Sequence, residues 1–346
     1  MLMRDIKIDF LRFLGLSLII LAHVEPPSWL AQLRNFDVVL MVVVSGLAFT
    51  QSRKAESYQS YLWKRIKRLL FPVWLFLSFY FLANTGLSLL EKTALIPLEV
   101  ILDSYTLTEG IGYVWIIRVF LLVALTAPFI SIANQRVKDH RAYFSILIFS
   151  YLLYELLLAL TSRYTTNSLG ENVSLFVYYG IAFSLVFAIG IRLPQLRKSE
   201  CLILAGFFLL TFAVLGITYF TQQGELVTTQ TRKYPPSVYY LSYAMGMTVL
   251  AYLVADKFIP IIRNFKKLEF WVLFIAQNSM WIYLWHIPIV EFFEQNSYFN
   301  FLIEYFVTYS GATLITFFQV SAVKKWLLPT IKKESLKKDL TILLTG

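Results

Sequence analysis

The chain has 346 residues, of which 58% are hydrophobic and only 15% charged, and its mean hydropathy is +0.64. These proportions exclude a soluble globular domain of ordinary usage and define a polytopic membrane protein. The net charge of +10 comes without any basic soluble segment and is no argument for nucleic acid, while the single Cys201 excludes a disulfide framework or a cysteine metal site and reads as a small buried apolar side chain.

The first apolar run, 8–24, contains Asp9, Arg12 and His23. Eleven helical steps of about 100° bring His23 back to within roughly 20° of Arg12, about 16 Å along one face. Ionisable side chains inside a bilayer are costly and mark a functional site by default. The ordinary alternative is that Arg12 reaches back to the interface and pairs with Asp9 at i,i+3, with His23 in the opposite headgroup zone. Glu25-Pro26-Pro27 follows this run where a cleaved signal would have small residues, so the helix is expected to be retained.

Nine further runs are long enough to cross the hydrocarbon, at about 37–50, 70–90, 114–133, 141–160, 174–191, 201–221, 237–254, 270–290 and 298–322. The expected fold is therefore all-α, a bundle of about ten transmembrane helices spanning 1–322, followed by a short basic tail at 323–346 with no soluble catalytic domain. Leu95 to Leu102, interrupted by Pro97 and Glu99, is too short to span and reads as interfacial or re-entrant. There is no internal repeat and no low-complexity tract.

Basic residues orient the chain. With the N-terminus inside, twenty-four of the 31 Lys and Arg fall on the cytoplasmic side, and only Arg34, Lys92, Arg163, Arg232 and Lys233 fall outside. Both termini are then cytoplasmic. Arg12 and Arg118 remain within the membrane, and Arg118 in the fourth span has Glu155 in the fifth as a candidate partner. Glu25, Asp37, Glu291 and Glu294 fall at the outer rim, where solvated carboxylates are ordinary.

Arg65-Ile66-Lys67-Arg68 places two guanidinium forks at i,i+3 on an expected interfacial helix facing the cytoplasm, suited to bidentate contact with phosphate. A juxtamembrane cluster holding anionic lipid has the same composition. His286 lies near the outer end of the ninth span among Trp281, Tyr283 and Trp285, where an interfacial aromatic belt is the plain reading.

Taken together these segments resemble the membrane acyltransferase family 3, O-acetyltransferases of bacterial surface glycans. The resemblance is carried by Asp9-Phe10-Leu11-Arg12 leading to His23, by Val42-Val43-Val44-Ser45-Gly46, by Arg65-x-x-Arg68 ahead of Leu69-Leu70-Phe71-Pro72, by Tyr113-Val114-Trp115-Ile116, and by Ser279-x3-Tyr283-Leu284-x-His286-x-Pro288. It covers about residues 5 to 290. The aromatic pair usual before Ser-Gly is replaced here by smaller residues.

The resemblance implies an acyl-CoA-dependent O-acyltransferase of the cell membrane, with acetyl-CoA as co-substrate, no metal, and a cell-surface glycan or its lipid-linked precursor as acceptor. His23 would be the general base and Arg12 would steady the thioester arm. Arg65 and Arg68 would hold the donor's phosphates, while Ser45, Gly46, Trp115, Arg118, Tyr283 and His286 would support or orient substrate. Direct transfer is the simpler expectation. The runner-up is a transporter or flippase for a glycan or small organic acid, with Arg12, Arg118 and Glu155 along its path; a matched pair of broken helices would favour it, and none is apparent. A non-catalytic partner of a polysaccharide synthase would leave the His and Arg pattern unexplained.

Overall fold

The computed structural model describes residues 5–51, 56–161, 168–295 and 300–346. Arg4, Arg53, Lys54 and Arg163, which entered the topology above, lie outside the described residues, as do Tyr298 and Phe299 at the start of the tenth run. The described residues are mostly helical, with no strand among them. Eight helices among them are long and apolar enough to cross a membrane, so this is a multi-pass membrane protein. Two more, α1 (Ile6–Ala22) and α12 (Ser279–Gln295), have 17 residues each, at the lower limit for spanning.

The chain separates into two units that interleave along the sequence, Met1–Ala55 with Leu125–Ala276, and Glu56–Ala124 with Gln277–Gly346. In the first, α1 starts from Asp5, whose carboxylate accepts from the Lys7 N–H at 2.9 Å. It packs on α3 (Asp37–Gln51) and, further on, α10 (Val238–Asn264). The short α2 (Ser28–Arg34) precedes α3. Then come α7 (His140–Thr161), α8 (Ser168–Arg192) and α9 (Lys198–Gln223), the last closed by Gly224 in the left-handed region.

Gly46 explains how α3 and α8 meet. A Cβ there would lie 2.8 Å from the Phe187 carbonyl oxygen and 2.9 Å from the Gly190 carbonyl carbon, and one on Gly190 would lie 2.6 Å from the Val43 carbonyl oxygen. These are backbone atoms that cannot step aside, so the two helices touch through small residues, the usual way membrane helices associate. Gly46→Ala should therefore push α3 off α8 and lower stability by about 1–3 kcal/mol, the range for overpacking a tight contact. Thermal unfolding in detergent measures it.

The second unit is built on α4 (Tyr58–Glu91), a single helix of 34 residues begun by Ser57, whose hydroxyl accepts from the Ser60 N–H. At 1.5 Å per residue it is about 51 Å long. Arg65 and Arg68 therefore occupy the first turns of a continuous membrane helix, where the sequence suggested a separate interfacial one. Helix α5 (Leu98–Thr106) is the short non-spanning piece expected before the fourth span. Helix α6 (Trp115–Arg136) begins at Trp115 as expected, and the boundary between the units falls within it after Ala124.

The ninth run is not one helix. It breaks at Asn278 into α11 (Lys266–Gln277) and α12, because a buried amide interrupts the apolar pattern and its carbonyl starts the next helix by accepting from Ile282 N. Helix α13 (Phe301–Ala322) packs on α12 and passes through a π turn (Val323–Leu327) and the single-turn α14 (Leu328–Thr330) to α15 (Glu334–Thr345). The segment after 322 is folded against its unit. Helix α15 lies on α4 and α13, with Trp281 Nε1 donating to the Leu343 carbonyl at 3.1 Å and Lys67 paired with Asp339 at 2.7 Å.

Orientation is open to a direct check within the second unit. In a chain with Cys201→Ala, a cysteine at Ser60 should react only from the cytoplasmic side and one at Glu294 only from outside, as the basic-residue asymmetry requires. Both reacting from one side would contradict ten crossings.

Candidate active site

In the first unit Arg12 stands in the middle of α1. Its guanidinium lies 3.5 Å from Asp9, which is almost completely buried, so the i,i+3 pair anticipated from sequence is formed. His23 is the C-cap of the same helix, with φ −98° and ψ 5°, its N–H donating to Ile20 at 3.1 Å, and its side chain is half-buried. A guanidinium inside the bundle and an imidazole at the helix end thus share one rigid element. Ser45 and Gly46 lie on α3, which packs on α1.

Beyond His23, the chain builds a charge cluster that the sequence reading did not anticipate. Asp37 is not a solvated rim carboxylate. It is 2% exposed, and it accepts from Arg34 at 2.6 Å and from Lys233 Nζ at 3.2 Å, which are 7% and 3% exposed. Lys233 also donates to Asn35 Oδ1 at 3.0 Å, and Asn35 Nδ2 donates to Thr229 at 2.8 Å. Burial lowers the Lys233 pKa; the Asp37 charge opposes this and the Arg34 charge adds to it. The Arg34-x-x-Asp37 spacing was legible, but Lys233 lies 196 positions from Asp37.

The second unit gathers the other histidine. His286 is fully buried on α12, and its Nδ1 contacts the Tyr283 carbonyl oxygen one turn earlier. A carbonyl only accepts, so Nδ1 carries the proton and, in the neutral ring, Nε2 carries the lone pair. Its ring stands edge-on to Tyr113 at 5.9 Å between centroids and tilted to Tyr283 at 4.8 Å. The Tyr283 hydroxyl donates to the Tyr113 carbonyl, and the Tyr113 hydroxyl donates to Glu294 at 2.9 Å. Glu291, half-buried, accepts from the Tyr80 hydroxyl at 2.7 Å. His286 is thus enclosed in a tyrosine and carboxylate network, not simply one member of a headgroup belt.

Arg118 and Glu155, expected to face each other, each bind backbone. Arg118 donates to the carbonyls of Leu107 and Thr108, both at 2.7 Å, which pins the loop ahead of α6, and Leu107 adopts a φ of 61° there. Glu155 accepts from the Val238 N–H at 3.0 Å, capping the start of α10. Arg65 lies over the Tyr61 ring at 5.1 Å and is half-buried, while Arg68 is exposed. Trp115 is half-buried at the head of α6.

Arg12, His23, Ser45 and Gly46 therefore belong to one unit, and Arg65, Arg68, Trp115, Arg118, Tyr283 and His286 to the other. The first unit offers a guanidinium held by Asp9 and an imidazole at the end of the same helix, and the second offers a buried imidazole and two guanidinium groups on α4. A family model described as an acyltransferase domain matches residues 5–320, nearly the whole chain. The protein belongs to this family, the membrane acyltransferase family 3, and is a membrane acyltransferase. Neither a curated protein nor a solved structure matches it.

Proposed function

We propose that the protein transfers an acyl group, taken as acetyl, from acyl-CoA on the cytoplasmic side to a hydroxyl of a cell-surface glycan or its lipid-linked precursor. His23 takes the hydroxyl proton as the oxygen attacks the thioester carbonyl. The C–O bond forms, the C–S bond breaks, and the departing thiolate is protonated in turn by the imidazolium. Arg12, held by Asp9 and about 16 Å back along the helix from His23, steadies the arm of the donor that carries the thioester. Transfer is direct, without an acyl-enzyme. The reading rests on one observation above the others, that Arg12 and His23 lie on a single helix of a chain in this family.

Arg65 and Arg68 hold the phosphates of the donor in this scheme. Arg65→Ala and Arg68→Ala should each raise the apparent KM for acyl-CoA while leaving kcat nearly unchanged, because the contact is made equally in ground and transition states. Lysine should restore only part of the loss, since it lacks the planar fork. Steady-state kinetics in detergent distinguishes this from a lipid-holding patch, which would leave KM untouched.

The contact of His286 Nδ1 with the Tyr283 carbonyl favours a second assignment within the same reaction. Nε2 is already the basic nitrogen there, so His286 is the base to examine if His23 proves dispensable.

A further inference from the structure

Between α7 and α9 in the first unit lies a groove of about 650 Å³ that the proposed chemistry does not use. Ile148 and Leu152 on α7 and Ile203 and Phe207 on α9 line it and are also exposed on the outer surface, so the groove opens sideways where lipid would be. Its lining on α7 runs from His140 to Leu152, about 18 Å at helical rise, and on α9 from Arg197 to Thr211, about 21 Å. Half the hydrocarbon thickness is about 15 Å. The groove therefore extends from the headgroup level to mid-membrane, the depth of one leaflet.

Its mouth is cationic. Arg141, Arg197 and Glu200 line it, and the segments they come from, 134–141 and 192–200, also hold Arg136, Lys138, Arg192 and Lys198 against Asp139. Arg192 is almost fully buried, and its partners are neutral: His140 Nδ1 at 3.0 Å, Asn134 Oδ1 at 3.1 Å, Gln195 Oε1 at 3.3 Å and the Lys138 carbonyl at 2.6 Å. None of these cancels its charge. By accepting from Arg192, His140 keeps its own proton on Nε2, a further donor at the mouth. Arg197 meets Glu200 at 3.5 Å but is 84% exposed, a pair that water screens and that leaves the guanidinium available. On the orientation argued above this mouth faces the cytoplasm.

We propose that this groove binds one anionic phospholipid of the cytoplasmic leaflet, with its acyl chains along α7 and α9 and its phosphate at Arg141 and Arg197. Basic pockets between membrane helices on the cytoplasmic side recognise such headgroups, and a cleft open to the bilayer need enclose only part of the acyl chains. Lateral entry from the bilayer needs no passage through water.

Native mass spectrometry of the full chain tests this, after exchange into mixed micelles containing equal phosphatidylglycerol and phosphatidylcholine. One phosphatidylglycerol should be retained in preference to phosphatidylcholine. The double variant Arg141→Gln/Arg197→Gln should lose that preference by at least tenfold, and Ile203→Trp, which fills the lateral opening, should reduce retention of both lipids. Unfolding midpoints without added lipid show that each variant is folded. Equal retention of the two lipids, retention of neither, or undiminished phosphatidylglycerol binding by the double variant would overturn the assignment.

Discussion

His23→Gln should leave a protein that inserts, folds and binds acyl-CoA but transfers the acyl group about 10²–10⁴ times more slowly, the span that general-base catalysis contributes. Glutamine keeps the size and hydrogen-bonding capacity of the side chain and cannot accept the hydroxyl proton. Since His23 is the C-cap of α1 and caps with its backbone, the substitution leaves the helix end intact. The loss should therefore appear in kcat, with the unfolding midpoint and donor affinity close to native. In the native protein the neutral imidazole is the working form, so the rate should rise with pH as the ring loses its proton. A structural interfacial histidine would tolerate glutamine with little change.

Asp37→Ala should have the largest effect on stability of any single change considered, about 3–5 kcal/mol, because it strands the buried Arg34 and Lys233 charges together without a counter-ion. The carboxylate ties the end of α2 and the start of α3 to the loop before α10, so losing it should loosen all three. Asp37→Asn should recover only part of the loss, since an amide keeps hydrogen bonds and carries no charge. Unfolding midpoints of the two variants in detergent measure this. If both match the native protein, the cluster is hydrated and the burial argument fails.

Much of the architecture was legible because membrane spans announce themselves through length and apolarity, and the short α5 and the start of α6 at Trp115 fall where the sequence suggested. The break at Asn278 was hidden, since one amide between apolar runs looks like a tolerated polar residue until its burial and the restart at Ser279 are visible. The same limit applies to partners. Arg12 with Asp9 was readable from i,i+3 spacing, and Gly46 stood out as part of the Ser-Gly element, but Gly190, which Gly46 meets, could only be found in three dimensions. Arg118 and Glu155 suggested each other by charge, but the backbone groups they hold, at Leu107 and Thr108 and at Val238, leave no mark in a charge pattern. Lys233 and Tyr113 carried no local signal for their roles, since what defines them is contact with segments far along the chain.

The most direct measurement is transfer of labelled acetyl from acetyl-CoA to a glycan acceptor by the purified chain in proteoliposomes, run beside His23→Gln. The account predicts labelled glycan with stoichiometric release of free CoA thiol from the native protein, and a rate lower by at least a hundredfold in the variant. Glycan movement across the vesicle membrane without acetyl-CoA consumption, or equal labelling by the two proteins, would contradict it.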